Sequence, residues 1–366
     1  MKRERVLLEL HVNHAGLDAV GAEWAKPIPT DMRNMGVRET SDAITSNEAK
    51  AAKCKQDNKK AHHYKLKHRS KKDAQEALTI HSKHWAHKRG CYVDLFGSSF
   101  SKLKCAVALP EKVNYDCKLV RTRLGEYYLC IPGPLETVSD IQAPLDSYEG
   151  VVGLDPGVRT FMTVFSADAE VVEWGVGDTT RIHRLCVRLD KLQSKWSQPE
   201  VRHRQRYRMK RAAMRMRKQI RSSVDEVHCK LAKWLCENFR VVLIPSFDTQ
   251  QMVSGRLRRK ISSKTARSMC TWSHYRFRQR LMNKAREYPW VRIVTVTEEF
   301  TSKTCGMCGV LNEKLGGSKT FLCEQCGYQA DRDHNGARNV LIKHAQQYVD
   351  CATNPHLEHC DHYARC

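Results

Sequence analysis

Four cysteines form the densest chemical signal in the chain. They are spaced Cys305-x2-Cys308-x14-Cys323-x2-Cys326, and a glycine, Gly309 or Gly327, follows each pair. Two thiolates on a tight turn can meet one tetrahedral ion, and the glycines let the backbone fold past the sulfurs. The spacing predicts a zinc ribbon rather than two redox pairs. Four thiolates leave no open position, so one Zn²⁺ held here is structural. A second group, Cys351, His356, His359, Cys360, His362 and Cys366, matches no zinc spacing and reads as a surface tail.

Two aspartates stand in settings that suit metal chemistry. Asp155 ends the apolar run of VVGLDPGVRT, just before a turn and another strand. RNase H-like nucleases place their first metal ligand in a similar way. Asp333, in ADRDHNGARN, begins a helix just after the cysteine region, with Asn335, Ala337 and Asn339 following. An aspartate at that point also suits a helix cap. Mg²⁺ prefers hard oxygen ligands, and two such ions ~4 Å apart activate water and stabilise the leaving oxygen in phosphodiester cleavage. That chemistry needs several carboxylates converging on one point.

The elements that would position these groups can be read from the pattern. From 151 to 174 the chain reads as strand, tight turn, strand and third strand, with Asp155-Pro156-Gly157 ending the first apolar run. Residues 179–239 are long-helical, with few Gly or Pro. VVLIP (241–245) reads as a buried strand ended by proline, 254–288 as basic helix, VRIVTVTEEF (291–300) as a strand, and 331–345 as helix. This is a mixed α/β domain with a cysteine-rich insertion near its end. Upstream, 1–40 are weakly patterned and 43–90 are basic and helix-permissive. Residues 91–147 hold short apolar or aromatic runs (CYVDLF, LKCAVAL, EYYLCIPG) that suggest strands.

Composition bounds the partners. The chain has 366 residues, with 63 Lys+Arg against 40 Asp+Glu, a net charge of +23. A field of this sign favours polyanions over the small substrates of an ordinary metabolic enzyme. At 41% hydrophobic the chain can bury a core. Its longest apolar runs, such as 241–244, are strand-sized, far from the ~20 residues of a membrane span. The N-terminus has no small-residue cleavage site, so a signal peptide is not expected. The 16 cysteines then read as metal ligands and buried thiols rather than disulfides.

The positive charge is concentrated. Residues 201–221, VRHRQRYRMKRAAMRMRKQIR, hold ten Lys/Arg and no acid. Such a helix repels itself and suits a phosphate backbone. Arg202, Arg204, Arg206, Arg208, Lys210, Arg211, Arg215 and Arg217 are its candidate contacts. In 255–281, Trp272, Arg276 and Arg278 combine ring and charge as single-strand binders do. Trp272 and Phe277 equally fit the core stripe of a helix.

Taken together, VVGLDPGVRTFMTVF, the basic helices and TSKTCGMCG…FLCEQCGYQADRDHNGARN resemble the transposon-associated RNA-guided nucleases, TnpB and its eukaryotic or viral relatives called Fanzor. The likeness covers roughly 36–345 and extends loosely to GVRETSDAI…KLKHRSKK. It implies a RuvC-type (RNase H-like) domain at 148–345 with a zinc ribbon at 301–330. It also implies an N-terminal wedge and recognition region at 1–147, of β-barrel and helical elements, and leaves a tail at 346–366. It implies two Mg²⁺, a guide (omega) RNA, a double-stranded DNA target beside a short target-adjacent motif, and a monomer in complex with RNA. A Fanzor would work in the nucleus, a bacterial relative in the cytoplasm; neither is secreted.

By this resemblance Asp155 is the first catalytic carboxylate and Asp333 the last. The family's middle glutamate, in a motif like I-E-D-L, meets Pro245 here, and proline binds no metal. Glu298 and Glu299, after VRIVTVT, offer a relocated acid. Adjacent strand residues face opposite ways, so only one of the pair is expected to reach the metal, with Glu298 preferred, Glu299 second and Asp248 a distant third. If none substitutes, the protein is a guided binder without cleavage. A guide-independent zinc-ribbon nucleic-acid-binding protein would explain the charge and the ribbon, but not the two aspartate motifs.

Overall fold

The computed structural model of the chain describes residues 8–26, 28, 30–58, 60, 62–66, 75–85, 106–138, 150–253, 261–313, 315, 316 and 318–353. The chain divides into two compact units, residues 1–134 and 135–366. The domain boundary expected at 147/148 lies outside the described residues. Residues 135–138 belong with the second unit, where the Val138 N–H donates to the Glu287 carbonyl at 2.8 Å.

The first unit begins with helices α1 (His14–Ala19) and α2 (Thr30–Gln56). Strands β1 (Gln75–Ile80), β2 (Cys117–Thr122) and β3 (Tyr127–Cys130) then form an antiparallel meander. Residues 75–80 were expected to favour helix. They pair as a strand instead, Gln75 opposite Thr122 and Ile80 opposite Cys117, because Ile80 and Cys117 seed a small core with Trp85, Leu119 and Leu129 packed on it. The CYVDLF run lies outside the described residues, and 106–109 form no strand. The described part of the expected barrel is therefore three strands. A buried arginine ties the helices together. Arg33, 8% exposed, donates from Nε to the Val12 carbonyl and from Nη1 to those of Ala25, Lys26 and Ile28. A buried guanidinium is tolerated when its donors are this fully used.

The second unit is built on a five-stranded sheet. Strands β4 (Val151–Pro156), β5 (Met162–Ser166) and β6 (Val171–Trp174) are antiparallel. On the other side of β4, β7 (Val241–Pro245) and β8 (Arg292–Val296) run parallel to it. The sheet order is β6-β5-β4-β7-β8, so the first strand in sequence lies in the middle. Helices cover both faces of the sheet at this central strand, as the apolar run VVGL requires.

The pleat sorts this run. Val152 and Leu154 face a large core shared with helices α3 (Val176–Ser197) and α4 (His203–Asn238). Helices α6 (Ser263–Trp272) and α7 (His274–Ala285) complete that face, after the short α5 (Thr249–Val253). Val151, Gly153 and Asp155 face helix α8 (Arg332–Thr353) on the opposite side, where Leu243, Val296, Val340 and Leu341 form a second cluster. Small residues set that approach. A Cβ at Gly153 would stand 2.7 Å from the Ala337 carbonyl oxygen and 2.8 Å from the Leu341 nitrogen. No described helix is long and apolar enough to cross a membrane.

Trp272 belongs to the core, which corrects its place among the nucleic-acid contacts. It is 2% exposed, its ring lies 4.7 Å from Phe161, and its Nε1–H donates to the Val158 carbonyl at 3.2 Å. The amphipathic stripe outweighed the basic setting. Phe161 is also flanked by two buried histidines, His228 at 4.8 Å and His274 at 5.0 Å, both stacked on it. None of their four ring nitrogens makes a well-formed hydrogen bond among the described residues.

Burial dominates both histidines. It holds His228 down to about 4, with Arg280 adding to it, and His274 down to about 3, with His228 adding to it. Both are neutral in the native state, while the unfolded chain takes up protons below the ordinary value near 6.5. Their contribution is therefore complete above that value and is lost as pH falls toward 4 and then 3. The melting temperature should drop steadily below about pH 6, and His228→Phe should flatten that acid limb. An unchanged slope in calorimetry would contradict this.

Candidate active site and metal centre

Asp155, Glu298 and Asp333 line one cleft of about 440 Å³ at the carboxyl end of β4, together with Arg159, Phe247, Ser302, Lys319 and Arg332. Each acid comes from a different element. Asp155 is on β4, Asp333 is in the first turn of α8, and Glu298 lies two residues past β8. Pro245 of β7 pairs with Val296 of β8, so Glu298 stands beside the strand end that lacks its own acid.

Burial and mutual repulsion act on the acids of the cleft. Asp155 is held well above the ordinary carboxylate range, first by burial and then by the charges of Asp333 and Glu298. Burial also raises Glu298 and Asp333, with Asp331 adding to the latter. Among the described residues no donor hydrogen-bonds any of the three side chains. Buried, clustered and unpaired carboxylates are costly unless a cation joins them. The three are more widely set than a closed cage, because their oxygens do not all lie within 4.8 Å of one another. A donor set of three hard oxygens with room between them fits Mg²⁺, which keeps several waters.

Local structure explains which acids are free. Asp331, not Asp333, caps α8, its Oδ1 accepting the Asp333 N–H at 2.9 Å, while Lys319 pairs with it at 3.2 Å. The Asp333 carboxylate is left to the cleft. Glu298 and Glu299 lie past the end of β8, so a turn rather than the pleat separates them. The Thr301 hydroxyl donates to the Glu298 carbonyl at 2.9 Å, and Glu298 is half-buried in the cleft while Glu299 is exposed outside it. Asp248 is also exposed and accepts the Gln250 N–H at 3.0 Å.

Gly336 makes the site possible. A Cβ there would stand 2.6 Å from Asp155 Oδ2, closer than real contacts allow. Gly336→Ala should therefore displace the carboxylate. We expect activity to fall about 100-fold, the effect of a roughly 1 Å misplacement. Thermal stability should change little, because alanine favours the helix by up to ~1 kcal/mol. Equal activity in the variant would contradict the close approach.

The four cysteines meet as a second centre. Cys305 and Cys326 Sγ are 3.7 Å apart, and Cys308 and Cys323 Sγ are 3.6 Å apart. All four sulfurs lie within 4.8 Å of one another. Sulfurs about 2.3 Å from a tetrahedral Zn²⁺ stand about 3.8 Å apart, so the set fits that ion. The two knuckles repeat one geometry. The Gly309 and Gly327 N–H groups donate to the Cys305 and Cys323 carbonyls, each at 2.9 Å, with φ of 75° and 74°. The Cys305 and Cys323 N–H groups donate to Val310 and Tyr328, again at 2.9 Å. Strands β9 (Thr320–Leu322) and β10 (Gln329–Asp331) join the second knuckle to α8.

Two buried asparagines fasten this ribbon to the catalytic side. Asn335 accepts the Gly306 N–H at 3.0 Å and donates to the Thr304 carbonyl at 2.8 Å. Asn339 donates to the carbonyls of Thr301 at 2.8 Å and Thr304 at 2.6 Å. The loop between Glu298 and Cys305 is thereby held against α8. The N-G-A-R-N spacing signals this, since positions four apart share a helix face.

The basic surface lies mainly on the first half of α4. Up to residue 221 only Ala213 of that helix is buried, and Arg202, Arg204, Arg208, Lys210, Arg215 and Arg217 are exposed. Arg206 and Arg211 are half-buried, and Arg206 donates to the Gln198 carbonyl at 3.0 Å. Arg276 is partly committed to structure, pairing with Asp225 at 2.7 Å, and Arg278 donates to the Ser246 carbonyl at 2.9 Å. Of the C-terminal group, Cys351 lies on α8, which runs to Thr353, and 356–366 lie outside the described residues.

Several known proteins are similar to this chain in sequence. The Cas12f1-like TNB domain family matches residues 274–340, from α7 through the ribbon into α8. The putative transposase A625R of Paramecium bursaria Chlorella virus 1 is 29% identical over 87% of this chain and 70% of its own length. The TnpB-like protein L79 of Acanthamoeba polyphaga mimivirus is 29% identical over 52% of this chain and 36% of its own length. The putative RNA-guided DNA endonuclease InsQ of Escherichia coli (strain K12) is 26% identical over 59% of this chain and 54% of its own length. The chain thus spans about a third to two thirds of these relatives. Through the ribbon and the helix behind it the chain is similar to the Cas12f1-like TNB domain family, and over longer stretches to TnpB-like proteins.

Proposed function

We propose that this protein is an RNA-guided, Mg²⁺-dependent DNA endonuclease with a RuvC-type, RNase H-like centre. The observation that carries the reading is the convergence of Asp155, Glu298 and Asp333 in one cleft beside a sheet of order β6-β5-β4-β7-β8. The name of the InsQ relative, an RNA-guided DNA endonuclease, supports the same reaction class. Bound Mg²⁺ would activate water and stabilise the leaving oxygen of a DNA phosphodiester. Asp155, Glu298 and Asp333 would hold the ions, and Gly336 lets α8 approach Asp155 closely enough to do so. Cys305, Cys308, Cys323 and Cys326 would hold one structural Zn²⁺. The exposed arginines of α4 would grip the phosphates of a guide–target heteroduplex, base pairing supplying sequence choice.

Pro245 motivates a second reading, a guided DNA binder that does not cut. The position of Glu298 beside that strand end favours the nuclease. The deciding experiment purifies the chain expressed with its own genomic flanks and sequences the RNA that copurifies. The complex is then incubated with a target plasmid bearing randomised flanks, with Mg²⁺ or with EDTA. A discrete RNA and a Mg²⁺-dependent linear product is the expected result. Guided binding without a product would favour the second reading, and no RNA would remove the guided function altogether.

A further inference from the structure

Five described non-glycine residues have positive φ, and two are phenylalanines in the segments that follow adjacent parallel strands, Phe247 two residues past β7 and Phe300 four past β8. Phe247, φ +38°, follows β7 and lines the catalytic cleft, its ring edge-on to His274 at 4.7 Å. Phe300, φ +65°, lies between Glu298 and Thr301, two residues of the same cleft.

A left-handed backbone is costly for a bulky residue, and glycine or asparagine would serve the turn better. The turn itself is well made. The Phe300 carbonyl accepts the N–H groups of Lys303 and Thr304 and the Thr304 hydroxyl, each at 2.9 Å. It keeps Glu298 in the cleft and leaves the Phe300 side chain 62% exposed. Packing therefore does not explain the ring. Strain of this kind persists where the surrounding structure enforces it, and it clusters at functional sites.

We propose that Phe300 is a stacking platform for an unpaired nucleobase next to the phosphate held at the carboxylate site. The inference rests on the nuclease reading above. Three features of the cleft select this occupant. Arg159, Lys319 and Arg332 line it and suit a polyanionic backbone. Phe247 supplies the cleft with an aromatic wall after the neighbouring strand. Phe300 is an exposed ring one residue before Thr301 of this basic-lined cleft, and such a ring suits the way single strands are held, since every base has a face to stack. Phe300 would thus set the register of the strand without selecting its sequence.

The test separates the ring from the turn. Phe300→Gly removes the ring and relieves the backbone, so its melting temperature should equal or exceed that of the wild type. Phe300→Trp keeps a stacking face. The full chain with its copurified RNA is titrated, in Ca²⁺, with short single-stranded DNA oligonucleotides carrying 2-aminopurine at successive positions. Wild type and Phe300→Trp should quench one position. Phe300→Gly should lose that quenching and raise KM for cutting in Mg²⁺ by roughly 10- to 100-fold. A Phe300→Gly protein that quenches and cuts like wild type, while Asp155→Asn is inert, would overturn the stacking role and leave the nuclease reading intact. A wild type that neither cuts nor binds the oligonucleotides would overturn both.

Discussion

Asp155→Asn should abolish DNA cutting, by at least about 1,000-fold, while the protein folds and retains its RNA. Loss of a ligand removes transition-state charge stabilisation worth several kcal/mol. The same substitution should stabilise the metal-free protein. Asp155 is buried against Asp333 and Glu298, and asparagine removes a charge without changing the shape. A gain of about 1 kcal/mol would raise the melting temperature by about 2–4 °C in a unit of this size. Added Mg²⁺ should reverse the ranking. At about 100 times its Kd, an ion that binds only the folded form contributes about 2.7 kcal/mol, and the variant should lose most of that. Calorimetry with and without Mg²⁺, beside plasmid cleavage, checks both effects. Equal cutting by the two proteins would remove Asp155 from the mechanism. A stable variant that is inert and insensitive to Mg²⁺ would place the ion at this carboxylate.

Purified protein should contain one Zn²⁺ per chain, and Cys323→Ser should lose it together with most of the nuclease activity. The ribbon cannot support itself, because its buried hydrophobic cluster is Cys305, Leu315, Phe321 and Cys323. Structural zinc in small ribbons contributes apparent binding energies of about 10–16 kcal/mol, which become folding energy. The loss should reach the active site through two asparagines. Asn335 and Asn339 hold the carbonyls of Thr301 and Thr304 only while the ribbon entry keeps its shape. Glu298, just before that loop, should then lose its position, costing about 100-fold or more in rate. The five-stranded sheet has its own core and should still melt cooperatively. Elemental analysis, limited proteolysis within 306–331 and calorimetry distinguish these effects. A zinc-free variant with full activity would sever the coupling.

Much of the second unit was legible before any coordinates, because its signals are local. Strands β4, β5, β6 and β7 announce themselves as short apolar runs bounded by turn residues, and the cysteine pairs set their own geometry within a few residues. The sequence alone also set one aspartate at a strand end and another at a helix start, since each motif carries its own secondary structure. It was weaker in the first unit, where residues 75–80 have no strong periodicity and become a strand only because a partner strand buries Ile80.

Tertiary structure decided the rest. Only the parallel pairing of Pro245 with Val296 brings Glu298 beside the strand end that lacks an acid, and only the turn at Phe300 divides Glu298 from Glu299. The capping of α8 by Asp331, which frees Asp333, depends on a single N–H. Trp272 fitted a core stripe, and also a nucleic-acid contact, until Phe161 and the Val158 carbonyl placed it in the core. The helix–strand approach at Gly153 and Gly336 is likewise silent in one dimension. Local spacing encodes turns, strands and knuckles, but which distant groups share a cleft depends on strand order and on side chains that meet only when the sheet is assembled.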